Sequence, residues 1–83
     1  MLMQLEEAHR QSADHRDVVL RSRVCGCFHC LEMFTPERIE EWVDEGQTAC
    51  CPRCGDEAVL GDAGDYPITP EFLVEMRRHW FGW

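Results

Sequence analysis

The sequence predicts a small α+β domain with two cysteine turns, a helix between them and a second helix at the carboxy-terminal end. Three observations carry that reading. Two Cys-x-x-Cys pairs, Cys27-Phe-His-Cys30 and Cys51-Pro-Arg-Cys54, are separated by twenty residues in a chain of 83. A hydrophobic residue followed by Thr-Pro-Glu occurs twice, at Phe34 and at Ile68, and this is helix-start grammar. Short apolar runs lead into and out of the cysteine pairs and read as strands.

Four thiolates delivered as two short clasps suit a tetrahedral zinc ion. The set Cys27, Cys30, Cys51 and Cys54 leaves no open coordination position, which marks a single structural zinc. Gly26, Pro52 and Gly55 around the clasps are tight-turn residues. A chain this short buries little apolar surface, so a metal commonly supplies the missing stability. Structural zinc contributes roughly 10–16 kcal/mol in finger peptides, so the metal-free chain is expected to be unfolded or molten around its middle.

The reading treats residues 1–83 as one domain, with 1–12 as an end that can fray because it holds no clear apolar stripe. Ser12 or Asp14 is placed to cap a short helix through Arg21, although Val18 and Leu20 also fit a strand. Ser22 to Gly26 reads as a strand entering the first clasp. Phe34 to Gly46 reads as a helix. Thr35 is its cap, Phe34 and Ile39 form a staple, and Ile39, Trp42 and Val43 share one face. Thr48 to Cys50 and Glu57 to Leu60 read as strands on either side of the second clasp. The last helix starts at Thr69-Pro70. Its stripe is Phe72, Leu73, Met76 and Trp80, and Arg77, Arg78 and His79 lie near its negative end. Because the second clasp opens a turn and a strand rather than a helix, the arrangement is a zinc-ribbon-like pair of zinc knuckles.

Charge limits the function classes. All of the formal net charge of −8 falls within residues 31–65, where ten acids face Arg38 and Arg53; four thiolates and a dication would take the total to −10. Such a surface repels phosphate backbones and disfavours nucleic acid as a partner. The opening residues lack the apolar core of a signal peptide, and no stretch is long enough to span a bilayer. A cytoplasmic location, where metal is favoured over disulfide, is therefore expected.

Several residues carry two readings. Cys25 and Cys50 are small semi-buried residues or hold a secondary metal or redox role. His29 sits inside a turn and is expected to be exposed, and His9 and His15 are expected on the surface. Trp80 is read as core, with Phe81 and Trp83 covering an edge, or the three form a docking patch. Cys51-Pro-Arg-Cys54 has the look of a thiol oxidoreductase motif, but those place the first cysteine at a helix N-terminus, and no helix starts here.

Taken in order, Cys25-Gly-Cys-Phe-His-Cys30, Phe34, Ile39-Glu-Glu-Trp42, Thr48-Ala49, Cys51-Pro-Arg-Cys54-Gly55, Tyr66-Pro-Ile-Thr69, Phe72-Leu73 and Trp80-Phe81 resemble a family of small uncharacterised bacterial cytoplasmic proteins with paired CxxC motifs. The resemblance runs from about His15 to Phe81. It implies a stand-alone zinc-ribbon-like domain with the two clasp pairs as ligands, and it implies no activity. His29 and Arg53 stand where that pattern has aromatics, and Cys50 where it has an aliphatic residue.

The expected function is that of a non-enzymatic structural-zinc domain acting as an acidic protein-interaction or inhibitor module. Its helix of acids and its aromatic end would meet a protein partner. The alternative is a nucleic-acid-binding zinc ribbon using Arg10, Arg16, Arg21 and Arg23. A thiol-redox or metal-carrier protein is the third class.

Overall fold

A computed structural model describes residues 2–64 and 66–82. Asp65, counted among the acids, and Trp83, of the aromatic end, lie outside the described residues. The chain runs α1 (Leu2–Arg10), α2 (Arg16–Arg21), β1 (Cys25–Cys27), β2 (Met33–Phe34), a 3-10 turn (Pro36–Arg38), β3 (Trp42–Val43), β4 (Thr48–Ala49), β5 (Val59–Gly61) and α3 (Pro70–Phe81). The strands form two antiparallel sheets, β2-β1-β5 and β3-β4.

β1 is the central strand. Cys25 pairs with Phe34 on one side and Gly61 on the other, and Cys27 pairs with Val59. Gly26 lets Leu73 of α3 and the preceding Ile68 pack closely over β1: a Cβ there would stand 2.8 Å from Cδ1 of Leu73 and 3.0 Å from Cγ2 of Ile68. Leu73, Met76 and Phe72 bury one face of α3 among Val19, Phe28 and Val59. That helix forms as its sequence predicts. Thr69 caps it by accepting from the Phe72 N–H at 3.2 Å, Pro70 opens it, and Gly82 ends it in a left-handed conformation.

The predicted helix from Phe34 to Gly46 does not form. Phe34 is taken by β2, where it pairs with Cys25, and the helical start at Pro36 lasts only one 3-10 turn, its Thr35 side chain making no capping bond. The chain extends again at Ile39, and Trp42 and Val43 then pair with Ala49 and Thr48. Asp44, Glu45 and Gly46 take positive φ in succession within the four-residue loop, 44–47, that joins the paired Val43 and Thr48. Three apolar residues at helical spacing were too few to separate a helix from a half-buried hairpin. An α-helix would also have crowded Glu40, Glu41, Asp44 and Glu45 within two turns. No α-helix therefore lies between the cysteine turns, and the acids of residues 37–45 are carried by a single 3-10 turn and a hairpin.

Toward the amino-terminal end, α1 lies against α3, and its Leu5 and Ala8 are buried. His15 departs furthest from expectation. It is 5% exposed rather than on the surface, and it joins three elements. Its Nε2 accepts from the Ala49 N–H at 3.0 Å, so the proton sits on Nδ1, which donates to the Gln11 carbonyl at 2.6 Å. Burial holds its pKa below the ordinary histidine value, against the opposing pull of the Gln11 carbonyl and the Asp14 carboxylate. Close by, the Thr48 hydroxyl accepts from the Asp14 N–H and donates to Asp44, each at 2.9 Å.

Candidate metal centre

The two cysteine turns are built alike. In the first, Cys27 leaves β1. Its carbonyl accepts from the Leu31 N–H at 2.8 Å, its sulfur accepts from the His29 N–H at 3.3 Å, and its own N–H donates to the Glu32 carbonyl at 3.0 Å. In the second, the Cys51 carbonyl accepts from the Gly55 N–H at 2.9 Å, its sulfur accepts from the Arg53 N–H at 3.4 Å, and its N–H donates to the Asp56 carbonyl at 2.9 Å. The residue after the second cysteine is left-handed in both turns, Leu31 at φ 68° and Gly55 at φ 82°.

The turns meet face to face. The ligand atoms of Cys27, Cys30, Cys51 and Cys54 all lie within 4.8 Å of one another and could hold a metal ion. Cys27 and Cys54 sulfurs stand 3.7 Å apart, and Cys30 and Cys51 sulfurs 3.6 Å. A tetrahedron with metal–sulfur bonds of about 2.3 Å has edges of about 3.8 Å, so the observed spacing fits a four-thiolate ion. Cys27 and Cys51 are buried, Cys30 is half-buried and Cys54 is exposed.

The thiols respond unequally to this setting. Burial pushes Cys27 up, against the pull of the Cys30 and His29 amides. Burial is the largest single influence on Cys51 and pushes it up, but the Cys54 and Arg53 amides, together with hydrogen bonding to the Cys30 and Cys54 sulfurs, draw the thiol below its ordinary value. A divalent cation would favour the thiolate at all four.

Two side-chain pairs cross between the turns. Arg53 of the second donates to Glu32 of the first at 2.8 Å, and Nδ1 of His29 of the first lies 3.2 Å from Asp56 of the second. Each basic residue holds the third position of its turn, and each acid the sixth. Sequence alone assigns no partner to His29 or Arg53. The repeat Cys-x-(His/Arg)-Cys-x-(Glu/Asp) was the available signal. His29 is also half-buried rather than free in solvent. Its Nδ1 stands 3.7 Å from the Cys54 sulfur, and its ring lies 4.9 Å from that of Phe81.

The other candidates stay apart from this cluster. Cys25 is fully buried in β1. Burial, with Asp62 and Glu37, pushes its thiol up to about 12. Cys50 is buried, and its thiol is raised first by burial and then by Glu41, Glu57, Asp44 and Asp56. It lines a cleft of about 300 Å³ with Glu40, Glu41, Cys51, Arg53 and Cys54. Trp80 is 37% exposed rather than core, and it stacks on His9 with ring centroids 3.9 Å apart; Phe81 is 38% exposed.

Compared with protein-family models, curated proteins and solved structures, the chain matches none. The fold and the site define a small α+β protein with a four-cysteine cluster suited to a metal ion. No helix among the described residues is long and apolar enough to cross a membrane.

Proposed function

We propose that the chain is a non-enzymatic domain fastened by one structural zinc ion and used as a protein-interaction module. The observation that carries the metal assignment is the near-tetrahedral spacing of four sulfurs from two equivalent turns. A fourfold thiolate set occupies every position of a tetrahedral ion and leaves none for substrate or activated water, which supports a structural role. The turns hold the Cys27 and Cys51 sulfurs through amide N–H groups, as a zinc-knuckle pair would, and a resemblance to small bacterial cytoplasmic zinc-ribbon-like proteins supports the same role.

The interaction role rests on charge. Glu37, Glu40, Glu41, Asp44, Glu45 and Glu57 are exposed, and the aromatic end of α3 stands partly in solvent. A basic protein suits this surface better than a nucleic acid does. Three of the four arginines that would build a phosphate-binding strip have partners within the chain. Arg10 pairs with Glu7 and Arg21 with Asp17, while Arg16 lies over the Trp42 ring and donates to the Gly46 carbonyl.

Native mass spectrometry of the purified protein tests the first part. A single zinc retained in Cys25→Ser and Cys50→Ser but lost in Cys51→Ser supports the assignment, and a metal-free folded chain sinks it. For the second part, titration with a basic protein should show binding that weakens with salt, and labelled DNA or RNA should bind no tighter than to other acidic proteins.

A further inference from the structure

We propose that the metal centre is a hydroperoxide-sensitive site that opens at Cys54, releasing its ion as a Cys27–Cys54 disulfide forms. The proposal rests on the zinc reading above and goes beyond it. A closed four-thiolate site is inert toward substrates but rich in electrons, because it carries two negative charges in excess of the ion. Its reactivity toward an electrophile is then decided by which sulfur can be reached.

The four sulfurs are not equally reachable. Cys27 lies in the core at the end of β1, Cys51 is buried beside it, and Cys30 is half-covered. Cys54 alone belongs to an exposed residue, and the cleft it shares with Glu40, Glu41, Cys50 and the buried Cys51 reaches it from solvent. A hydroperoxide is small and uncharged, so the surrounding carboxylates do not repel it as they would an anionic oxidant.

The chemistry balances with peroxide as the sole oxidant. The Cys54 thiolate attacks one peroxide oxygen, the O–O bond breaks, and hydroxide leaves as the sulfenic acid forms. The Cys27 thiolate, whose sulfur lies 3.7 Å away, then attacks the Cys54 sulfur, and a second hydroxide departs. Two thiolates have supplied the two electrons that reduce the peroxide. Cys30 and Cys51 remain, too few to hold the ion.

The consequence reaches the surface. His29 lies between Cys54 and Phe81, with its Nδ1 against the sulfur and its ring against the aromatic. Phe81 also contacts Phe28, the neighbour of Cys27. Both cysteines of the new bond therefore adjoin residues that seat the end of α3, and closing the bond disturbs the aromatic face that the interaction reading uses.

The test uses the zinc-loaded full chain, its zinc content first measured by elemental analysis. Hydrogen peroxide is added at one equivalent. Released zinc is tracked with a chromogenic chelator, and the cysteines are mapped by alkylation and peptide mass spectrometry. The expected result is loss of the zinc, with Cys54 the first cysteine modified and Cys27–Cys54 the first cross-link. The same result is expected in the Cys25→Ser, Cys50→Ser double variant, which retains all four cluster sulfurs. First modification at any other cysteine, a first cross-link that omits Cys27, or zinc still bound after Cys54 is oxidised overturns the proposal and leaves the structural-zinc reading intact. Absence of zinc before peroxide is added overturns both.

Discussion

Arg53 in the second cysteine turn reaches back to Glu32 in the first, and its guanidinium donates at 2.8 Å. His29 and Asp56 repeat the contact in the opposite direction. The relation is reciprocal: each turn lends a basic third residue to the other's acidic sixth. The thiolates reinforce it. After its hydrogen bond to Glu32 and the Glu32 charge, Arg53 is held protonated by Cys30 and then by Cys51. The pairs act as straps across the two halves of the site, and Arg53 brings its positive charge close to the sulfurs of Cys30 and Cys51.

Loss of a strap should therefore show in metal retention more than in folding. Partners outside the ligand set typically tune metal affinity by about 10–100-fold. Because both pairs are partly exposed to water, Arg53→Ala and Asp56→Asn are expected at the low end, near tenfold. Competition with a chromogenic chelator measures this directly. An unchanged zinc affinity in both variants would show that the pairs are incidental.

Metal removal should collapse the middle of the chain. The two turns are joined across the cluster, and the core that they frame is small. Stripping with EDTA is expected to lower the melting temperature by about 20 °C or more, since each kcal/mol is worth roughly 4–8 °C in a domain of this size. Circular dichroism with and without chelator decides it, and α3 should lose its packing against β1.

His15 predicts a pH dependence with a definite sign. Its folded pKa lies below the ordinary value of about 6.5 because the ring is buried. Above that value both folded and unfolded states are neutral, and the contribution of this group to stability is complete. As pH falls below it the unfolded chain binds a proton that the folded chain resists, so stability declines until the folded pKa is passed. Protons also compete for the thiolates, so the comparison is with His15→Gln, measured by thermal melts between pH 7.5 and 5 with zinc in excess. The wild type should lose more stability than the variant over that interval. At neutral pH, His15→Ala leaves the Ala49 N–H without its acceptor and should cost about 1–3 kcal/mol.

Two glycines should respond differently to alanine. At Gly26 the new methyl group meets Leu73 and Ile68, and overpacking of this kind costs about 1–3 kcal/mol. At Gly55 there is open space, but φ is +82°, so the cost is purely conformational and about 1–2 kcal/mol. Gly55→Asn should recover part of it, because asparagine tolerates left-handed backbone. Gly26→Asn should recover nothing. Urea titrations of the four variants separate the two causes.

The cap of α3 offers a simpler check. The Thr69 side chain satisfies the Phe72 N–H, and Thr69→Ala should cost about 1 kcal/mol while Thr69→Ser costs less. The equivalent change at Thr35, whose side chain caps nothing, should be close to neutral in a melt.

The contrast between the two threonines marks where local sequence stops deciding structure. Thr35-Pro36-Glu37 and Thr69-Pro70-Glu71 are the same three residues, yet one begins a single 3-10 turn and the other a helix of twelve residues. Beyond Pro70 runs a long stripe, Phe72, Leu73 and Met76, with a buried face to occupy. The segment around Pro36 has neighbours that are already committed, Phe34 to the edge of β1 and Trp42 to a hairpin with Ala49. The local code was legible wherever it closed on itself within a few residues: the two cysteine turns, the Thr69 cap, and the strands at Thr48–Ala49 and near Val59. It was silent wherever a partner lay far along the chain. Nothing near His15 announces that Ala49 will donate to it across 34 residues, or that Glu32 awaits Arg53. Turn and cap energies depend on adjacent residues and can be read in order, whereas burial and strand pairing are settled only when distant segments compete for the same core.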